Sequence, residues 1–131
     1  MKRWYAITTP IYYVNAEPHI GHTYTTIVVD TLARYHRMAG EETFFLTGTD
    51  EHGEKVAEVA AQRGVSPREF TEQISGTFRS TWEELGMSFD HFIRTTDRDH
   101  VRVVQKILQA VYDAGEIEFR EYEGLYCVGC E

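Results

Sequence analysis

The sequence of 131 residues has few cysteines, few prolines and fewer basic than acidic side chains. Two cysteines cannot build a disulfide framework, which excludes the small disulfide-rich secreted proteins. Three prolines and an apolar fraction of 42% do not fit a disordered chain. The 13 lysines and arginines stand against 21 aspartates and glutamates, a formal net charge of −8. This charge argues against a general surface for polyanions but is compatible with a local basic site.

Long apolar runs are also missing. No stretch approaches the length that crosses a bilayer, and the polar, aromatic beginning lacks the apolar segment and cleavage site of a signal peptide. A cytoplasmic protein that does not involve the membrane is therefore expected. The length suits one domain with its own hydrophobic core.

The hydrophobic pattern predicts a strand, a long helix and a second strand in the first 47 residues. The strands are expected at residues 4–8 and 43–47, where β-formers cluster. Between them, apolar residues recur every three or four positions over residues 20–39 and form one stripe, and Gly40 ends the helix. Such a βαβ unit has parallel strands and an almost always right-handed crossover, so the fold class is α/β. The stripe consists of Ile20, Tyr24, Ile27, Val28, Leu32, Tyr35 and Met38.

Three more helices and a third strand are expected downstream. The helices begin near Glu54, at Pro67 after a capping box, and after Thr96, and the strand spans residues 89–94. The core-facing positions of the last two helices are Phe70, Ile74, Phe78, Trp82 and Leu85, then Val101, Val104, Leu108, Val111 and Tyr112. Period-two alternation at residues 117–123 predicts a solvated strand, and a domain boundary separates residues 1–116 from 117–131.

Two polar segments with glycines follow the first two predicted strands. The first ends in His19-Ile-Gly-His22 at the helix start, and the second, residues 48–53, contains Asp50. Because parallel strands end at one edge of a sheet, both segments are expected to meet there. The free N–H groups and dipole of the helix start favour an anion, and Gly21 lets a phosphate or a flat ring approach the backbone. The pattern predicts a nucleotide-phosphate site; the alternative is two surface histidines.

Cys127 and Cys130 form a C-x-x-C motif on a predicted turn with Gly129 between them. The motif has the shape of a zinc knuckle, but tetrahedral zinc needs four ligands, so two cysteines are half of a site. A redox pair and two separate thiols stay open as alternatives, although redox pairs usually begin a helix and none is predicted here. A chain that stops one residue after half a knuckle is expected to be a fragment.

Together these motifs resemble those of class I aminoacyl-tRNA synthetases. Residues 10–22 are similar to the His-Ile-Gly-His signature of that class, and Thr47-Gly-Thr-Asp-Glu-His-Gly53 resembles its methionyl family, bacterial type. The late strand leading to C-x-x-C resembles the opening of that family's zinc-bearing connective insertion. The resemblance covers the whole chain. It implies the first half of a Rossmann-like parallel sheet with flanking helices, ending at the start of a zinc-knuckle insertion.

The resemblance implies that methionine carboxylate attacks the α-phosphate of ATP, supplied as its magnesium complex. Methionyl-adenylate and pyrophosphate form, and the methionyl group passes to its tRNA. His19 and His22 would hold the phosphates while charge builds in the transition state. Gly21 would let adenine lie against the helix start, and Asn15 would shape the phosphate loop.

The same resemblance implies that three residues would hold methionine. Asp50 would pair with the ammonium group, Ile11 would assist through its backbone carbonyl, and Tyr13 would line the thioether pocket. Asp50 as a simple loop cap is the alternative. The roles of Glu51 and His52 stay open.

Several features of the family are absent from these residues. They are the second signature, Lys-Met-Ser-Lys-Ser, the remaining zinc ligands and the anticodon-binding helices. The isolated chain is therefore expected to be inactive and to depend on other parts for tRNA. Two other functions stay open. A nucleotidylyltransferase also uses His-x-Gly-His at a helix start, and a non-enzymatic zinc or protein-interaction module would centre on Cys127 and Cys130.

Overall fold

The chain folds into two compact units, Met1–Thr95 and Thr96–Glu131. The structure, a computed structural model, describes residues 3–127. Its elements in chain order are β1 (Trp4–Thr8), β2 (Tyr12–Tyr13), α1 (Ile20–Met38), β3 (Glu42–Asp50), α2 (Glu54–Gln62), α3 (Pro67–Glu84), β4 (His91–Arg94) and α4 (Arg98–Asp113).

The four strands form one sheet in which β3 pairs with each of the others in parallel. Leu46 pairs with both Thr8 and His91, so β1 and β4 lie on opposite edges of β3. Thr49 pairs with Tyr12 and with β4, which puts β2 on the same edge as β1. The predicted α/β fold with a parallel sheet is therefore confirmed, and the carboxyl ends of β2, β3 and β4 reach one edge.

Strand β3 is longer than the sequence predicts. The expected strand ends at Thr47 and a loop follows, whereas the observed strand continues through Gly48 to Asp50. Pairing on both edges extends it, because β2 and β4 supply partners that a single-strand pattern does not reveal. Gly48 permits this pairing: a Cβ there would lie 2.0 Å from the carbonyl oxygen of Ile93. Gly48 thus allows the backbones of β3 and β4 to approach closely, and it does not form a turn.

Helix α3 contributes four of the nine buried residues in the larger core cluster of the described chain. It begins with the predicted capping box, in which Ser66 Oγ accepts from the Glu69 N–H at 3.2 Å and Glu69 accepts from the Ser66 N–H at 3.0 Å. Leu85, the C-cap residue, is 52% exposed, so its predicted burial is wrong. The other predicted core positions of α3, which are Phe70, Ile74, Phe78 and Trp82, are buried. They pack with residues from β2, the turn after it, α2 and β4: Tyr12, Val14, Val56, Ala60 and Phe92.

Helix α1 buries a different face from the predicted apolar stripe. All seven stripe residues are exposed, and Met38 is 81% exposed. The helix packs instead through small and short side chains, which bring it close to the Phe45 side chain of β3. The buried residues of α1 are Thr26, Val29, Asp30 and Ala33. The 3.6-residue period therefore predicts the helix correctly, but it does not predict which side of the helix faces the sheet.

The unit Thr96–Glu131 contains α4 and an irregular segment. The predicted inward residues of α4 are exposed, since no residue of this helix is buried. Residues 116–127 form no strand, so the strand predicted at 117–123 is wrong; a strand needs a paired neighbour, and this segment has none assigned to it. The domain boundary at residues 116 and 117 stays a prediction. Among residues 3–127, no helix combines the length and apolar character needed to cross a bilayer.

Candidate active site

Two histidines cap the beginning of α1. His19 is the N-cap residue, and its Nδ1 accepts a hydrogen bond from the Gly21 N–H at 3.1 Å. The Nδ1 of His22 in turn accepts from the His19 N–H at 3.2 Å. This is a reciprocal capping box in which imidazoles replace the usual hydroxyl and carboxylate. The two rings lie 3.8 Å apart between centroids, at the amino end of the helix.

Gly21 gives the His19 ring the room that this cap requires. A Cβ at Gly21 would lie 2.9 Å from Cε1 of His19 and 3.1 Å from its Nδ1. Any larger residue would therefore push the ring away from the helix start. The structure thus gives Gly21 a packing role within the chain itself, next to the ligand-approach role that the sequence suggests.

His22 lies against a wall of aromatic rings. The Tyr12 ring is 4.7 Å from it and the Phe78 ring is 5.2 Å from it, measured between centroids. The Tyr12 hydroxyl forms a 3.0 Å hydrogen bond with Thr26 Oγ1 and donates to the His22 carbonyl oxygen at 3.4 Å. Burial, and secondarily the neighbouring His19, lower the pKa of His22 below its ordinary 6.5. Both effects favour the neutral form of the imidazole.

The other predicted site residues lie at the carboxyl edge of the sheet. Asp50 is the last residue of β3, partly exposed, and pairs in register with Tyr13 at the end of β2. Tyr13 is 53% exposed and Ile11 is 43% exposed, so both offer apolar surface at this edge. Asn15 occupies the exposed turn that leads from β2 towards α1. The edge therefore presents a carboxylate, apolar side chains and the start of α1.

A buried ion pair next to Asp50 is missing from the sequence-based site. The side chain of Glu51 is 0% exposed, and Arg94 Nε and Nη2 donate to its two carboxylate oxygens at 2.6 and 2.9 Å. Thr49 Oγ1 donates to it at 3.0 Å, and the Glu51 N–H donates to Thr95 Oγ1 at 2.9 Å. Only the fold brings Arg94 to Glu51, because 43 positions separate them. The pair joins the ends of β3 and β4 beside the candidate methionine ligand.

The C-x-x-C motif is only partly described. Cys127 is exposed, and Cys130 lies outside the described residues. Within residues 3–127, no three His, Cys, Asp or Glu side chains are grouped as metal ligands. The two thiols suit zinc but are half of a tetrahedral set, so the predicted start of a zinc-knuckle insertion is not shown.

Comparison with known proteins decides the family. The family described as tRNA synthetases class I (M) matches residues 5–131. This chain belongs to that family. The match is thus to the methionyl family within class I that the resemblance implies.

Individual relatives agree with this assignment. The chain is 48% identical over 131 residues to the methionine–tRNA ligase of Caldanaerobacter subterraneus, covering 100% of this chain and 20% of that protein. It is 52% identical over 130 residues to the Deinococcus radiodurans enzyme, covering 98% of this chain and 19% of that protein. A solved structure of Mycobacterium tuberculosis methionyl-tRNA synthetase with methionyl-adenylate superposes with a TM-score of 0.83 at 45% identity, covering 88% of this chain and 22% of that one. The chain thus spans about a fifth of its relatives' length.

Proposed function

We propose that this chain supplies the ATP-phosphate and methionine-binding part of a methionine–tRNA ligase. The observation that carries the proposal is the pair of capping imidazoles at the start of α1, His19 and His22, whose rings are 3.8 Å apart. They stand on a parallel α/β unit whose strand β3 ends in Asp50 at the ligand-binding edge.

The proposed chemistry at the phosphates is electrostatic. As methionine carboxylate attacks the α-phosphate of magnesium-bound ATP, negative charge builds on the phosphate oxygens and the departing pyrophosphate. The two imidazoles donate hydrogen bonds there, at a helix end that already favours anions. Because the donors are fixed before the reaction, little reorganisation is needed in the transition state. Gly21 provides access for adenine, and Asn15 shapes the adjoining loop.

Methionine binding is proposed for the neighbouring strand ends. The Asp50 carboxylate pairs with the substrate ammonium group, Tyr13 contacts the thioether, and the Ile11 carbonyl accepts a further hydrogen bond. The partial exposure of Asp50 and the exposed Tyr13 and Ile11 side chains support this, because all three are accessible to a small ligand.

The remaining parts of the proposal rest on the family. Transfer of the methionyl group to tRNA uses segments beyond these residues, and the isolated chain does not complete the reaction. Cys127 and Cys130 supply two of the four ligands of a structural zinc ion, with the others coming from elsewhere. The reaction takes place in the cytoplasm, where free thiols are maintained.

Methionine-dependent exchange of pyrophosphate into ATP tests the proposal in a protein that contains this chain with the rest of its family length. We expect His19→Ala or His22→Ala to lower the exchange rate about 100-fold or more, as removal of a preorganised oxyanion donor does. Asp50→Ala should instead raise the KM for methionine strongly.

Two matched controls accompany these variants. His100→Ala and Asp99→Ala change the same residue types in α4, which carries none of the proposed ligands, and should leave exchange unaltered. Unchanged rates in the His19 and His22 variants would refute the proposal. Nucleotide exchange that does not require methionine would support the nucleotidylyltransferase alternative instead.

A further inference from the structure

We infer that Tyr12 and Phe78 are positioning residues for His22, and that His19 and His22 both accept hydrogen bonds at Nδ1 and carry their proton on Nε2. The inference concerns the chain itself; only its consequence for phosphate binding rests on the proposed function. It begins from the reciprocal cap, in which Nδ1 of each ring accepts a backbone N–H. A nitrogen that accepts a hydrogen bond cannot also carry a proton, so the single proton of each neutral ring is on Nε2.

The cap opposes protonation of His22 at Nδ1. A proton on Nδ1 would face a backbone N–H and break one of the two capping bonds. It would also put a cation at the positive end of the α1 dipole, with a second imidazole 3.8 Å away. The titratable groups that face His22 are His19 on its own helix and the Tyr12 phenol on β2, whereas α3 contributes the apolar Phe78 ring. None of these groups carries a negative charge at neutral pH that would favour an imidazolium.

Tyr12 and Phe78 restrict the orientation of the His22 ring. Both are essentially buried, at 5% and 0% exposure, and their own rings stack 5.7 Å apart with planes 17° from parallel. The Tyr12 hydroxyl is bonded to Thr26 Oγ1 on the first part of α1, which ties β2 to the helix. His22 therefore contacts the two buried rings, the His19 ring and one backbone N–H, and these contacts determine where Nε2–H points.

The consequence for the reaction is a donor that does not depend on protonation. A neutral Nε2–H donates to a phosphate oxygen without first taking up a proton. Exchange activity that depends on His22 should accordingly persist as the pH rises above the ordinary histidine pKa. A catalytic imidazolium would lose activity over that range.

Tautomers can be measured directly on the present chain. Labelled with ¹⁵N at histidine, it is examined by two-dimensional long-range ¹⁵N–¹H NMR at about pH 7.5, where neutral histidines are expected. We expect His19 and His22 to show an unprotonated Nδ1 and a protonated Nε2. The exposed His91 serves as the internal reference. A dominant Nδ1–H form, or rapid mixing of both forms at His22, would overturn the inference.

Variants of Tyr12 and Phe78 test whether these rings position His22 or only pack in the core. Phe78→Leu and Tyr12→Leu should move the NMR titration midpoint of His22 upward towards its ordinary value of 6.5. Phe70→Leu is the matched control, because it makes the same change in the core of α3, where the Phe70 ring lies under Arg63. It should lower stability but leave the titration of His22 unaltered. An unshifted midpoint in both variants would refute their positioning role. Tyr12→Phe retains the ring but loses the hydrogen bond to Thr26, so it should lower stability while leaving the titration midpoint of His22 unaltered.

The outcome is independent of the proposed function. NMR of the unliganded chain needs no substrate, so a failure of methionine-dependent exchange leaves the tautomer result intact. Conversely, the opposite tautomer would refute this inference while the exchange result still stood.

Discussion

Replacing Glu51 by glutamine tests how far the buried ion pair stabilises the sheet edge. Glutamine keeps the size and one carbonyl acceptor, but it cannot receive the two charge-assisted bonds of Arg94. Breaking one partner of a buried pair costs about 3–5 kcal/mol, because the other charge is left without compensation. The Arg94 side chain is 27% exposed and so retains some contact with water. We therefore expect Glu51→Gln to lower the free energy of unfolding by about 3 kcal/mol, near the lower end of that range.

The assay is urea unfolding of the chain, with the free energy of unfolding obtained by linear extrapolation. Glu83→Gln is the matched control, since Glu83 pairs with Arg79 on the surface of α3 at exposures of 55% and 60%. An exposed pair contributes about 0.2–1 kcal/mol and is screened by salt. The difference between the two variants should persist at high ionic strength.

Two results would refute this reasoning. Equal losses in Glu51→Gln and Glu83→Gln would mean that burial adds nothing to the Glu51–Arg94 pair. A double variant, Glu51→Gln with Arg94→Met, removes both charges and should recover part of the stability lost in the single variant. If it were less stable than the sum of the single changes, the unpaired charge would not be the cause.

Two further changes test other parts of the fold. Burial raises the pKa of Asp30, but hydrogen bonds from Ser88 and Arg34 outweigh it and hold that pKa below 3.8. The contribution of Asp30 to stability is thus fully present above the pKa that Asp30 has in the unfolded chain. It is lost as the pH falls through the lower pKa of the folded state. Stability should consequently fall less steeply in acid for Asp30→Asn, and equal slopes in acid titration would contradict this. Gly48→Ala should cost about 3 kcal/mol in urea unfolding, because its Cβ would meet backbone at 2.0 Å. Gly76→Ala in α3, with nothing within 4 Å, should be neutral or stabilising by up to about 1 kcal/mol, and similar values for both would disprove the steric argument.

Local patterns predicted the helices of the first unit and the core face of α3. Ser66 with Glu69 marks the beginning of that helix, and the aromatic spacing from Phe70 to Trp82 defines its buried face. These signals are contained within one or two turns, so no distant residue is needed to interpret them. The meeting of His19 and His22 is predictable for the same reason, because three positions on a helix start are close in space.

Predictions failed where a distant segment decides what a residue contacts. The apolar stripe of α1 is exposed, because Asp30 and its neighbours, bonded to Ser88, occupy the face towards the rest of the unit. Strand β3 runs past Thr47 because β2 and β4 pair with its last residues. Residues 117–123 alternate like a strand but have no partner strand assigned. Periodicity identifies an amphipathic element but not the surface that will cover it.

The sequence by itself determined the α/β class, the order of the main elements and the two motifs at the carboxyl edge of the sheet. These depend on neighbours in the chain, whose spacing is set by backbone geometry. Only the tertiary structure decided that Glu51 meets Arg94, that Tyr12 and Phe78 enclose His22, and that α1 turns its small side chains inward. Each of these contacts joins residues that are distant in sequence, so packing of the whole unit selects them rather than any local pattern.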